Sequence, residues 1–124
     1  MYPLLSRVLF SLALTLAVEG AAAPLLSPRL LRFPEKSEKN TPLRRFLASL
    51  ICNLLTNPLL NLLYVLSFSF GADPVMFIIA AEICAVLYEA FLYGAFLNES
   101  FRFSLALSAA ANALSFSAGL LAAP

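Results

Sequence analysis

Apolar residues run almost unbroken through four stretches of the chain, roughly 4–23, 44–69, 75–97 and 102–122. Each is near the ~20 residues with which an α-helix crosses ~30 Å of hydrocarbon. The pattern therefore predicts an all-α polytopic membrane protein, with four transmembrane helices in a compact bundle that forms one domain over residues 1–124. Punctuation agrees with these limits. Thr41-Pro42 and Asp73-Pro74 each put a side chain able to cap a helix just before a proline, whose fixed φ and missing N–H suit a first turn. Pro58, inside the second stretch, frees the carbonyl of Leu54 and predicts a kink that neighbouring asparagines would satisfy. The sharper alternative is a helix broken at Thr56-Asn57-Pro58 into two halves around an unwound site.

The polar residues that interrupt these stretches fall at helical spacing. In the third, Glu82 and Glu89 are nearly in register, and Tyr93 continues their stripe by one more turn. The second carries Asn53, Asn57, Asn61 and Tyr64 on one broad face, and the first carries Ser11, Thr15 and Glu19. The fourth presents Ser104, Ser108, Asn112, Ser115 and Gly119, small enough to let helices or whole copies of the chain approach closely. In a bilayer such seams face protein or water rather than lipid.

Depth brings the seams together. At ~1.5 Å per residue, Glu19 and Glu89 lie ~22 Å from the end that carries the termini, Asn53 ~18 Å and Asn112 ~15 Å, with Glu82 and Asn57 in a layer ~12 Å deep. A carboxylate at the bilayer centre costs about 2.5–3.5 kcal/mol on insertion scales. With Lys and Arg confined to the loop and the ends of the apolar stretches, Glu19, Glu82 and Glu89 invite two readings. In one they are a proton- or cation-binding site, since a carboxylate without a cationic partner takes its counter-charge from a proton or a bound cation. In the other they are protonated and hydrogen-bonded to Asn53, Asn57, Asn112 and Tyr93, holding helices together.

Composition removes other classes. The chain is 61% hydrophobic and 12% charged, with a mean hydropathy of +0.88, too apolar for an ordinary soluble domain. A formal charge of +1 offers no basic face for nucleic acid. There is no histidine, which removes Ser-His and Cys-His catalysis and His-based metal patterns. Cys52 and Cys84 lie inside apolar runs and read as small hydrophobes. With no phosphate-cradling glycine loop, nucleophile elbow or metal spacing, the expectation is a non-enzyme with no cofactor and no metal.

Charge placement sets orientation. Arg29, Arg32, Lys36, Lys39, Arg44 and Arg45 fall in the segment SPRLLRFPEKSEKNTPLRR that joins the first two stretches and Arg102 at the turn that joins the last two, whereas only Arg7 lies on the opposite side. The bias of Lys and Arg puts loop 25–43 in the cytoplasm and both termini outside. That loop, broken by Pro28, Pro34 and Pro42, reads as solvated, with Glu35 and Glu38 facing water and Glu99 at a helix start. Arg7, the apolar run after it and Ala21-Ala22-Ala23 also fit a secretory signal. Cleavage would leave Pro24 after the cut and six cations on the external side of a span, so a retained helix is the expectation.

Taken together, LTLAVEG, NLLTNP, EICAVLYEAFLY and ANALSFSAGL resemble a family of small four-helix bacterial integral membrane proteins with no established activity. The resemblance covers most of the chain outside the loop, at Glu19, Asn57, Pro58, Glu82, Glu89, Asn112 and Ser115. Gly20 and Ala21 depart from it, since bulkier residues generally follow the first-helix glutamate. It implies a multi-pass protein of the bacterial cytoplasmic membrane and transfers no residue role. Small multidrug exporters share the size and a first-helix glutamate, but lack the third-helix pair and typically carry a tryptophan, absent here. The expected function is small-solute or ion translocation, or an accessory part of it. The alternative is a non-transporting assembly subunit. The bilayer is the expected environment, and a second copy or another membrane protein the expected partner.

The topology is testable directly. A reporter fused after Pro124 should be active outside the cytoplasm, and a cytoplasmic C-terminus would sink the four-span reading.

Overall fold

A computed structural model describes residues 2–34, 36–71 and 73–122, with the side chains of 2–5, 7, 8, 68, 69 and 122 outside that description. The readings made for Glu35 and for the side chain of Arg7 therefore fall outside the described residues. Four helices make up the fold: α1 Tyr2–Leu25, α2 Pro42–Ser69, α3 Pro74–Leu97 and α4 Phe101–Ala122. Among the described residues, Pro42–Ser67, Pro74–Leu97 and Phe101–Leu121 are long and apolar enough to cross a membrane, while the apolar part of α1, Leu9–Leu25, is shorter.

The helix ends follow local chemistry. Asp73 Oδ1 accepts from the backbone N–H groups of Val75 and Met76 at 2.9 Å, and Pro74 occupies the first turn. Thr41 Oγ1 accepts from Arg44 N at 3.2 Å. Asn98 closes α3 in the left-handed conformation, φ 54°, and Ser100 Oγ accepts from Phe103 N at 3.3 Å to start α4. Helix α2 runs unbroken through Pro58, so it is not two half-helices. Nor do the asparagines serve the Leu54 carbonyl: Asn61 Nδ2 donates instead to Asn57 O at 2.9 Å.

The helices form a square. α1 and α3 each pack against both α2 and α4, and among the described residues the two diagonal pairs do not pack together. The polarity is inverted relative to a water-soluble bundle. Glu19, Ser49, Asn53, Glu89, Ser104 and Ser108 are buried, while Leu54, Leu62, Ile83, Phe91 and Leu121 are exposed. The interior has two storeys. Toward the α1–α2 loop and the α3–α4 turn, Ala48, Cys52, Tyr93, Leu97, Phe103 and Leu107 form an apolar core. The polar residues lie above it, toward the end that carries the termini.

The long loop is not simply solvated. Lys36, Lys39, Arg29 and Arg32 are exposed, but Ser37 and Asn40 are buried, and Leu26, Leu31 and Phe33 pack against the apolar core. Two buried charges hold it. Glu99 does not begin α4; its Oε1 accepts from Ser37 N at 3.2 Å and Asn40 Nδ2 at 3.1 Å. Arg45 is only 3% exposed. It donates to Ala23 O at 3.0 Å, Pro24 O at 2.7 Å, and the backbone and side-chain oxygens of Asn40 at 3.0 and 2.8 Å. It thus supplies donors to the orphan carbonyls at the end of α1.

A fork-shaped donor set is needed for that job, so Arg45→Lys should destabilise nearly as much as Arg45→Ala. Hydrogen bonds to charged groups contribute about 1.5–3 kcal/mol each, and either change should lower the unfolding midpoint in detergent. A lysine variant indistinguishable from the native chain would show that charge rather than geometry matters.

Candidate functional site

Glu19 and Glu89 belong to helices at opposite corners, and neither is more than 1% exposed. Glu19 Oε2 accepts from Asn53 Nδ2 at 2.9 Å, and its Oε1 from Ser115 Oγ at 2.6 Å. Glu89 Oε1 accepts from Thr56 Oγ1 at 2.8 Å, and its Oε2 from Asn112 Nδ2 at 2.7 Å and Ser108 Oγ at 3.2 Å. Each carboxyl is therefore tied to both helices of the other diagonal, α2 and α4. The asparagine amides also bond their own helices one turn back, Asn53 to Ser49 O at 3.0 Å and Asn112 to Ser108 O at 2.9 Å, which fixes their direction.

The hydroxyls have a second option. Thr56 Oγ1 lies 2.9 Å from Cys52 O, Ser115 Oγ 3.1 Å from Asn112 O, and Ser108 Oγ 3.0 Å from Val86 O. A hydroxyl has one hydrogen and two lone pairs. It can donate to a carboxylate, or turn to the backbone carbonyl and accept from a carboxylic acid. The network thus accommodates both protonation states without displacing a heavy atom.

A cavity of about 220 Å³ extends from these carboxyls toward the termini. Ser11, Thr15, Glu19, Asn53, Asn57, Glu82, Glu89, Asn112 and Ser115 supply its polar wall, and none of its described lining side chains is Lys or Arg. Glu82 differs from the other two glutamates. It is partly exposed, makes no hydrogen bond among the described residues, and also borders two neighbouring cavities. One lies between α2 and α3 beside Tyr64 and Phe77; the other, about 340 Å³ and almost wholly apolar, lies between α3 and α4 beside Ile83, Val86 and Leu87. Among the described residues, no three acidic, cysteine or histidine side chains gather as a metal-ligand set.

Glu19, Asn53, Glu89, Asn112 and Ser115 thus share one network. Two expected partners do not join it. Tyr93 is fully buried in the apolar core one turn beyond Glu89. Asn57 borders the cavity, but its oxygens accept from Asn61 and its amide contacts neither carboxyl. Thr56 takes the place expected of Asn57; its hydroxyl lies one turn from Asn53 on the same seam, the signal that would have found it.

The small residues of α4 are also placed differently from a face for a second copy. Ser104 and Ser108 are fully buried within the bundle, and a Cβ on Gly94 would meet Ser104 Oγ at 3.5 Å, an ordinary packing contact. Gly119 lines the cavity with open space around it. Ser104 and Ser108 are thus turned inward, while Ser115 and Gly119 are partly exposed. No protein-family model, curated protein or solved structure matches this chain.

The network predicts an asymmetry between substitutions. Glu89→Gln should keep the native unfolding midpoint, because the new amide meets Thr56 Oγ1, which can accept while donating to Cys52 O. Asn112→Leu should destabilise by about 1–2 kcal/mol, at the upper end for interhelical hydrogen bonds in membranes. Equal losses from both would contradict the hydroxyl switch.

Proposed function

We propose that the protein is a four-span bacterial cytoplasmic membrane protein that takes part in small-solute or ion translocation, exchanging protons at Glu82 and Glu89. The observation that carries this reading is Glu82, a carboxyl that has no hydrogen-bond partner among the described residues and faces a polar cavity whose described lining has no cation. Such a group takes its counter-charge from outside the protein, as a proton or an organic cation. A chelated metal ion is disfavoured by the lack of a three-ligand cluster among the described residues.

Energetics supports the same reading. The five interhelical bonds to Glu19 and Glu89 return about 0.6 kcal/mol each in a membrane. That is less than the roughly 2.5–3.5 kcal/mol each carboxylate costs on insertion scales. Apolar packing would hold the helices more cheaply, so stability alone does not account for the pair.

The second reading, an assembly subunit with structural glutamates, draws on the fact that both oxygens of Glu19 and of Glu89 are occupied by donors. It fits Glu19 best and Glu82 least.

Infrared spectroscopy of the reconstituted protein, titrated with pH, distinguishes the readings. Carboxyl C=O bands that appear on acidification and disappear in Glu82→Gln and Glu89→Gln are expected. Glutamates that hold one protonation state across the titration would overturn proton exchange and leave the assembly reading.

A further inference from the structure

The two ends of the bundle are built differently. The cavity and its carboxyls lie toward the termini, whereas the loop-side end carries a layer of chain that no helix requires. Segments 26–34 and 36–40 cross it with Pro28 buried, Leu31 against the apolar core, and the Phe33 ring edge-on to Phe103 at 6.0 Å between centroids. Beneath them, Cys52 is fully buried one turn before Thr56, whose hydroxyl bonds Glu89. The layer and Cys52 thus both lie on the loop side of Glu89.

The fastening of that layer is local. Glu99, in the turn between α3 and α4, holds it through Ser37 N and the Asn40 side chain, both bonds falling on Oε1, while among the described residues Oε2 is buried without a partner. A carboxylate bonded through one oxygen and desolvated at the other is a weaker anchor than one satisfied at both, because the unpaired oxygen keeps its desolvation cost. Arg45 holds both ends of the layer, bonding Ala23 and Pro24 where it leaves α1 and Asn40 where it reaches α2. Release at Glu99 would let the segment swing while Arg45 keeps its base on α1 and α2.

The geometry points to segments 26–34 and 36–40 forming a strap, latched at Glu99, that seals the loop-side end of the bundle and lifts to connect that end with Glu89. This rests on the proposed function, since only a translocating protein needs the second opening, but it is tested without any transport assay.

The native thiols supply the reporter. Cys84 is exposed and Cys52 buried, so in a Cys84→Ala background a charged maleimide reports on water at Cys52 alone. In nanodiscs, Glu99→Ala is expected to speed Cys52 labelling about tenfold or more, the shift that follows from losing a charged hydrogen-bond anchor. Glu99→Gln, which keeps an acceptor oxygen, should stay within about twofold. Amide exchange read on the same samples keeps the result decisive. Strap amides of the unsubstituted chain should exchange faster than those of α2 and α3, and faster still in Glu99→Ala. Strap amides that exchange only with the helices would overturn the latch, even if Glu99→Ala fails to fold. A freed strap with Cys52 labelled at the native rate would overturn the seal. Neither result bears on whether the glutamates exchange protons.

Discussion

The bundle depends on a constraint of connectivity: each of its two fully buried carboxyls must find partners on helices adjacent to its own, because the helix at the opposite corner is out of contact. Glu19 on α1 and Glu89 on α3 solve this in the same way, each bonding α2 and α4. Four helices that share only apolar faces could slide or rotate past one another with little change in energy. Carboxyls that need donors at both oxygens allow one register, because a displaced helix would leave a buried polar group unpaired. The surrounding features follow from that register. Ser104 and Ser108 line the contact of α4 with its neighbours, Ser108 bonding Glu89, and the polar cavity is the space left above them.

Stacking an apolar storey on a polar one divides the protein into regions with different mechanics. Around Tyr93, Leu97, Phe103 and Leu107 the interior is packed side chain to side chain, and motion there is costly. Above it, asparagines and hydroxyls line open space, and changing a bond requires only that a hydroxyl turn. In the proposed function chemistry belongs to the upper storey and closure to the lower. All three glutamates border the polar cavity, but only Glu19 and Glu89 also bond neighbouring helices among the described residues.

Much of the architecture was legible because apolar length and capping are local properties. The helices begin and end within two residues of the limits read from hydropathy, and Asp73-Pro74 caps as its chemistry dictates. The network was partly legible for a similar reason: helical spacing puts Glu82 and Glu89 on one face, and depth brings Glu19 level with Glu89. The missed features depend on azimuth and on the loop, which one-dimensional spacing does not set. Asn57 and Thr56 are adjacent in sequence, yet a rotation of α2 by one residue decides which meets Glu89. Tyr93 lies in register with Glu89 but one turn nearer the apolar storey. Glu99 and Arg45 look like surface charges, and Asn40 like an ordinary loop amide, because the contacts that bury them are not local; Asn40 and Glu99 are 59 positions apart.

The bond from Ser115 to Glu19 joins residues 96 positions apart. That separation bears on how the protein is made. When α1 leaves the ribosome, the donor that will occupy Glu19 Oε1 has not yet been synthesised. Asn53 arrives first and satisfies the other oxygen. Glu89 follows, with Thr56 already in place and Ser108 and Asn112 soon after. The last helix therefore closes both carboxyls at once, and a chain truncated before α4 carries two half-satisfied glutamates, a feature by which quality-control machinery could tell an unfinished bundle from a complete one.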